Sequence, residues 1–100
     1  MLNQVILVGR LQDDPTLEKL PDGTLETKIV LNIVRGFKEV ETGDYKTDAI
    51  PITLWGGIAE NTVEYCKAGA TIGVKARLSV SELGTVKIIA EKVTFINTRA

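Results

Sequence analysis

The chain has no histidine and only one cysteine among its 100 residues. A single cysteine cannot form an internal disulfide, and without histidine an ordinary zinc site lacks its usual ligands. An excess of one charge is also missing, since 12 basic and 13 acidic residues give a net charge of −1. This balance argues mildly against nucleic-acid binding, which favours a strongly basic surface. A local basic groove on a neutral protein remains compatible with it.

Long hydrophobic runs are absent as well. The apolar stretch near the N-terminus covers only residues 5–8, which is too short for a signal peptide or a membrane span. No repeat, low-complexity segment or linker divides the sequence. We therefore expect one domain over residues 1–100 of a cytoplasmic protein that does not contact membranes.

Five segments have the β-branched content that is typical of strands, and the second, third and fourth of them also show two-residue alternation. They are residues 3–11, 24–35, 47–56, 71–81 and 85–97. In the fourth segment, alternation places five residues inward: Ile72, Val74, Ala76, Leu78 and Val80. A helix is predicted over residues 58–68, with Gly69 as a left-handed terminator. Five strands with one helix between the third and the fourth predict an OB-fold, a partly open Greek-key barrel.

Trp55 is the only tryptophan, and alternation places it on the opposite side of its strand from Ile52 and Leu54. A large aromatic side chain outside the core usually has a partner, and a flat nucleobase suits an indole ring. Packing against the start of the helix or against a neighbouring subunit is the alternative. Phe37 is a second candidate for base stacking, because it lies between Arg35 and Lys38. Its alternative role is to anchor the polar segment 36–46.

The basic side chains that alternation or position leaves outward are candidate phosphate contacts. Together with Arg35, they are Arg10, Lys28, Lys46, Lys75, Arg77 and Lys87. Many acidic residues lie elsewhere, in the first loop and on the predicted helix, so a basic groove can form on a neutral protein.

No pattern in the chain predicts catalysis, a cofactor or a metal site. Gly56 and Gly57 lack the lysine and spacing of a phosphate loop, and they leave room for a sharp turn into the helix. Asp13 and Asp14 are expected to form a turn or a cap. Cys66 fits the buried side of the helix and has no histidine partner, so we expect a binding protein and not an enzyme.

The first strand is aliphatic on both sides, with Val5 and Leu7 on one and Ile6 and Val8 on the other. One barrel covers only one side of a strand. A second subunit or a loop of the same chain is therefore expected to cover the other.

Several segments resemble bacterial single-stranded-DNA-binding proteins, in register over essentially all 100 residues. They are residues 3–11 (NQVILVGRL), 14–15 (DP), 21–23 (PDG), 54–56 (LWG), 59–61 (AEN) and 64–69 (EYCKAG). The resemblance implies an OB-fold, usually a homotetramer, that binds and protects single-stranded DNA without reading its sequence. It also implies work in replication, recombination or repair, contact with other replication proteins, and a place on the nucleoid in the cytoplasm.

The sequence departs from that family at the positions that match its stacking aromatics. They hold Phe37, Ala49, Trp55 and Leu83, so two of the four are aromatic. Because stacking contributes about 1–3 kcal/mol per base, weaker DNA binding is expected unless other contacts compensate. The hairpin before the last strand is short, and none of the family's acidic tail lies within residues 1–100. The missing aromatics and the near-zero net charge favour an alternative function, that of an OB-fold module that binds replication proteins and binds DNA weakly.

Overall fold

A computed structural model describes residues 1–99, and within them it contains six β-strands and one α-helix. In chain order these are β1 (Val5–Leu11), β2 (Glu18–Lys19), β3 (Leu25–Lys38), β4 (Tyr45–Trp55), α1 (Gly56–Tyr65), β5 (Thr71–Val80) and β6 (Val86–Asn97). The five predicted strands correspond to β1, β3, β4, β5 and β6. The strand that was not predicted, β2, is two residues long and pairs with the start of β3.

The five longer strands close into a barrel. Antiparallel ladders join β1 to β5, β5 to β6, and β3 to β4. Strand β6 meets β4 in parallel at Thr53 and Ile89. The last two residues of β1 then pair with β3, which completes the ring. The predicted OB-fold is confirmed, with the helix between β4 and β5.

The core is built by the alternate residues of β3, β4 and β5 that point into the barrel. Its largest fully buried aliphatic side chains are Leu31, Ile52, Leu54, Ile72 and Val74. The prediction that Leu78 and Val80 point into the core is wrong, since they are 42% and 65% exposed. Pairing of β5 with β1 ends at Ala76. Beyond that point β5 and β6 continue as a hairpin that β1 no longer accompanies.

The helix begins and ends earlier than predicted. It starts at Gly56, directly after the last residue of β4, and ends at Tyr65, where Cys66 returns to an extended conformation. Gly69 has the expected positive φ of 91°, but it lies in the turn that leads into β5. Ala59, Thr62 and Cys66 are fully buried where α1 packs against the barrel. In residues 1–99, no helix has both the length and the apolar character needed to cross a membrane.

Gly9 directly precedes Arg10, where β1 begins to pair with β3 while it is still paired with β5. The structure shows a close strand crossing at this glycine. A Cβ atom built on Gly9 would lie 2.6 Å from the carbonyl oxygen of Asn32 and 2.7 Å from Cγ1 of Ile33. Any side chain here would push β3 away from β1, so barrel closure requires glycine at this position.

We expect the substitution Gly9→Ala to lower the free energy of unfolding by about 1–3 kcal/mol, the usual cost of overpacking. The matched control is Gly36→Ala, because Gly36 also lies in a strand but has open space around a built Cβ. Urea unfolding of both variants measures the difference. Equal stabilities of the two variants would show that β1 and β3 do not cross this closely.

Candidate nucleic-acid interface

Trp55 is the last residue of β4 and directly precedes α1. Leu54 before it is fully buried, whereas Trp55 is 40% exposed, so the prediction that the indole points away from the core is confirmed. The β3–β4 register places Glu26 directly opposite Trp55. The indole N–H donates a hydrogen bond to Oε2 of Glu26, with an N–O distance of 2.7 Å. The edge of the ring is therefore held, and part of its surface is open to solvent.

A groove lies between the outward side of the β3–β4 pair and the hairpin formed by β5 and β6. Its volume is about 460 Å³. Two lysines line it, one on β3 and one on β6, together with several apolar side chains. We call it the lysine groove, and its lining residues are Lys28, Pro51, Ile52, Thr53, Leu78, Thr85, Val86, Lys87 and Ile88.

The lysine groove combines charge with apolar surface in the way that a single strand of nucleic acid requires. Lys28 and Lys87 are exposed cations, and Leu78 and Val86 form an exposed apolar wall. Thr53 lies two residues before Trp55 on the same side of β4, so the indole lies one outward position beyond the groove residue Thr53. Cations for phosphates beside flat or apolar surface for bases are the features of single-strand grooves.

Arg10 lines a second and larger cavity of about 790 Å³. Asn32, Val34 and Thr47 also line it, and these belong to the outward rows of β3 and β4. Ala49 is paired with Asn32 in the same rows. Because the strand rises about 3.3 Å per residue, the row from Thr47 to Trp55 is roughly 26 Å long. One continuous face of β4 therefore connects the Arg10 cavity with the lysine groove and Trp55.

Arg35 and Lys46 are engaged by acidic neighbours. Nε and Nη2 of Arg35 donate to the two carboxylate oxygens of Asp48, each at 3.0 Å. Oε1 of Glu39 lies 3.9 Å from Nη1 of Arg35 and 3.4 Å from Nζ of Lys46. These two predicted phosphate contacts thus already have anionic partners, unlike the lysines of the groove, for which the described residues 1–99 show no salt bridge.

The Arg35 guanidinium lowers the pKa of the Asp48 carboxyl below its ordinary value, through the hydrogen bond first and the charge second. A carboxyl whose pKa is lower in the folded state stabilises the fold at neutral pH. That contribution is lost as the pH falls through the lowered pKa. Because the pair is largely exposed to solvent, its contribution to stability is small.

Phe37 lies far from Trp55 on the same pair of strands. It is exposed near the end of β3, beyond an irregularity in the β3–β4 pairing between Val34 and Lys38. Phe37 is eleven residues beyond Glu26, the residue opposite Trp55. At about 3.3 Å per residue this separates the two aromatics by roughly 36 Å along the strand. The two aromatics therefore lie toward opposite ends of the β3–β4 pair.

Lys75 and Arg77 lie on the side of β5 opposite to Leu78, and neither lines the lysine groove. Lys75 is paired with Ile6 of β1 and with Lys92 of β6. Leu83, at a position that matches a family aromatic, is exposed in the turn between β5 and β6. The structure therefore brings together Lys28, Lys87 and Trp55, and it places the other candidates elsewhere on the surface.

Two further sequence expectations concern structural roles. The carboxylate of Asp14 accepts a hydrogen bond from the backbone N–H of Ala68 at 2.8 Å, so it caps the turn after α1 as expected. Cys66 is fully buried, and this burial raises the pKa of its thiol. Because of the raised pKa, a smaller fraction of the thiol is in the thiolate form, which is the form that acts as a nucleophile.

Sequence reasoning missed Glu26, the acidic partners of Arg35 and Lys46, and the apolar wall of the groove. Alternation alone does show that Glu26 and Lys28 share one side of their strand. The register that brings Glu26 to Trp55 depends on pairing between residues that are 29 positions apart. Only the folded structure supplies that register.

A closed five-stranded barrel with a helix between β4 and β5 defines this protein as an OB-fold, and two lysines line a groove on its outward side. The model of the Single-strand binding protein family matches residues 2–96. The chain belongs to that family, and the resemblance predicted from sequence is confirmed.

Individual relatives support the same assignment. Single-stranded DNA-binding protein B of Bacillus subtilis is 35% identical over 99% of this chain and 94% of its own length. Single-stranded DNA-binding protein 2 of Clostridium acetobutylicum is 36% identical over 95% of this chain and 77% of its own length. The single-stranded DNA-binding protein of Bacillus cereus is 34% identical and is covered over 62% of its length.

Proposed function

We propose that this protein binds single-stranded DNA without sequence preference and thereby protects it during replication, recombination or repair. The lysine groove carries the proposal, because its two lysines and apolar wall lie beside the outward row of β4 that ends at the half-exposed indole of Trp55. The relatives from Bacillus and Clostridium are named single-stranded DNA-binding proteins, which supports DNA over RNA as the ligand. The action is binding and not catalysis, and its site in the cell is the nucleoid in the cytoplasm.

In this mechanism Lys28 and Lys87 contact phosphates, and a base stacks on Trp55. Stacking tolerates any sequence because every base has a π-face. Arg10 extends the path along the outward face of β4. Arg35 and Lys46 stay paired with Asp48 and Glu39 when DNA binds, and Lys75, Arg77 and Phe37 contact only a strand that continues past the groove.

The protein also assembles into a homotetramer, and it contacts other replication proteins in this form. The outward side of β1 supports this part of the proposal, since Ile6 and Val8 are 69% and 52% exposed. A Cβ atom built on Gly73 would contact Val8 at 3.7 Å and Ile96 at 3.6 Å. Val8, Gly73 and Ile96 therefore form one apolar strip across β1, β5 and β6.

The edge of β1 points to a second copy of the chain as the partner that covers this strip. Pairing of β1 with β3 is limited to Arg10 and Leu11. On that edge, residues 5–9 have no strand partner in the part of the chain that the structure describes. An unpaired edge beside exposed aliphatic side chains favours strand pairing with another subunit.

We expect Lys28→Gln and Lys87→Gln each to flatten the salt dependence of DNA binding. For single strands, the slope of log K against log salt changes by about 0.7 for each phosphate that the protein no longer neutralises. The matched control is Lys46→Gln, because Lys46 is already paired with Glu39 and should leave the slope nearly unchanged. Fluorescence anisotropy of a labelled oligo-dT at several salt concentrations measures all three.

Equal slopes for the three variants would contradict the assignment of phosphate contacts to the lysine groove. Micromolar or weaker binding by the unaltered protein at low salt, together with a stable oligomer, would favour the alternative function. That alternative is a protein-interaction module, and the ion pairs of Arg35 and Lys46 are the observation in its favour.

We expect the unaltered protein to sediment at about four times the 10.9 kDa mass of the chain. Val8→Glu should dissociate it, because a carboxylate cannot be buried unpaired in an apolar interface. The control is Val40→Glu, which makes the same change at a fully exposed valine. Sedimentation equilibrium measures all three masses, and a monomeric unaltered protein or an intact Val8→Glu oligomer would contradict the proposal.

A further inference from the structure

Glu26 is an acidic residue at a position where a negative charge is energetically unfavourable. It lies on the outward side of β3, two residues before Lys28, and it is only 8% exposed. Strand β2 places Glu18 directly opposite it. Like charges at directly opposite positions of paired strands destabilise a sheet. A buried carboxylate beside a surface for phosphates also repels them.

The carboxylate of Glu26 has one clear structural role. It accepts the hydrogen bond from the indole N–H of Trp55 at 2.7 Å. A hydrogen bond to an ionised acceptor is shorter and stronger than a neutral one. This hydrogen bond fixes the edge of the ring that carries the nitrogen, while Trp55 as a whole stays 40% exposed. The rotation of the indole about its side-chain bonds is thereby restricted.

We propose that Glu26 is a positioning residue that fixes the indole of Trp55 in the orientation in which it stacks on a base. This inference rests on the proposed function and adds to it the residue that prepares the stacking surface. A side chain that is already ordered loses less rotational freedom when a base binds. For one side chain this preorganisation corresponds to about a twofold to tenfold gain in affinity.

Two neutral variants separate positioning from charge. Glu26→Gln keeps the length and one carbonyl acceptor for the indole N–H, whereas Glu26→Met keeps the length but has no comparable acceptor. Glu18→Gln is the control that removes the neighbouring charge without touching the indole. In the free protein, acrylamide quenching and fluorescence anisotropy of Trp55 report how freely the ring moves. A labelled oligo-dT then gives the dissociation constant of each variant.

We expect Glu26→Gln to keep the indole restricted and to bind oligo-dT at least as tightly as the unaltered protein. Glu26→Met should leave the indole more mobile and more accessible to acrylamide, and should weaken binding about twofold to tenfold. Glu18→Gln should leave the indole as it is. Two neutral variants that match in both fluorescence and affinity would overturn the inference, because Glu26 would then act only through its charge.

Urea unfolding of each variant shows whether it folds. If Glu26→Met does not fold, Glu26→Asp replaces it, since this variant keeps the charge but is one methylene too short to hold the ring. Glu26→Asp should then leave Trp55 more mobile, because the hydrogen bond to the indole is lost. An indole as restricted as in the unaltered protein would overturn the inference. Failure of every variant and of the unaltered protein to bind oligo-dT would refute the proposed function, while the fluorescence comparison would still test Glu26.

Discussion

The register of the β3–β4 pair is the constraint on which both the core and the candidate interface depend. It places Ile29 opposite Ile52 on the inward side, and Lys28 opposite Thr53 and Glu26 opposite Trp55 on the outward side. Because strand side chains alternate, a slip by one residue would exchange the two sides. The same pairing that buries the aliphatic residues therefore presents the indole and the lysine to solvent. Core packing and the binding face are specified together.

Local patterns predicted what depends on neighbouring residues in the sequence. Alternation was sufficient to place Leu54 inside and Trp55 outside, and the order of elements was sufficient for the OB-fold. Alternation was not sufficient for Leu78, because the burial of a strand residue also depends on where a distant strand stops pairing. The contacts of Glu26 and Arg35 were missed for the same reason, since both cross from β3 to β4.

A net charge of −1 does not show which of the basic side chains already have acidic partners. Arg35 and Lys46 face carboxylates at the far end of the β3–β4 pair, whereas Lys28 and Lys87 flank an open groove. The short-range field that a phosphate meets depends on this local arrangement more than on the total, because salt screens distant charges over about 8–10 Å. A neutral protein with few aromatics is thus compatible with a nucleic-acid-binding face, and the candidate face of this protein surrounds one indole.

Titration of Trp55 fluorescence with a long oligo-dT, at low and at moderate salt, measures whether a base stacks on the indole. Trp55 is the only tryptophan, so the signal has a single origin. We expect strong quenching at low salt that moderate salt reverses, because a base stacks on the indole while lysines hold the phosphates. Binding of the oligonucleotide without any change in Trp55 fluorescence would contradict this expectation, since the DNA would then follow another face of the barrel.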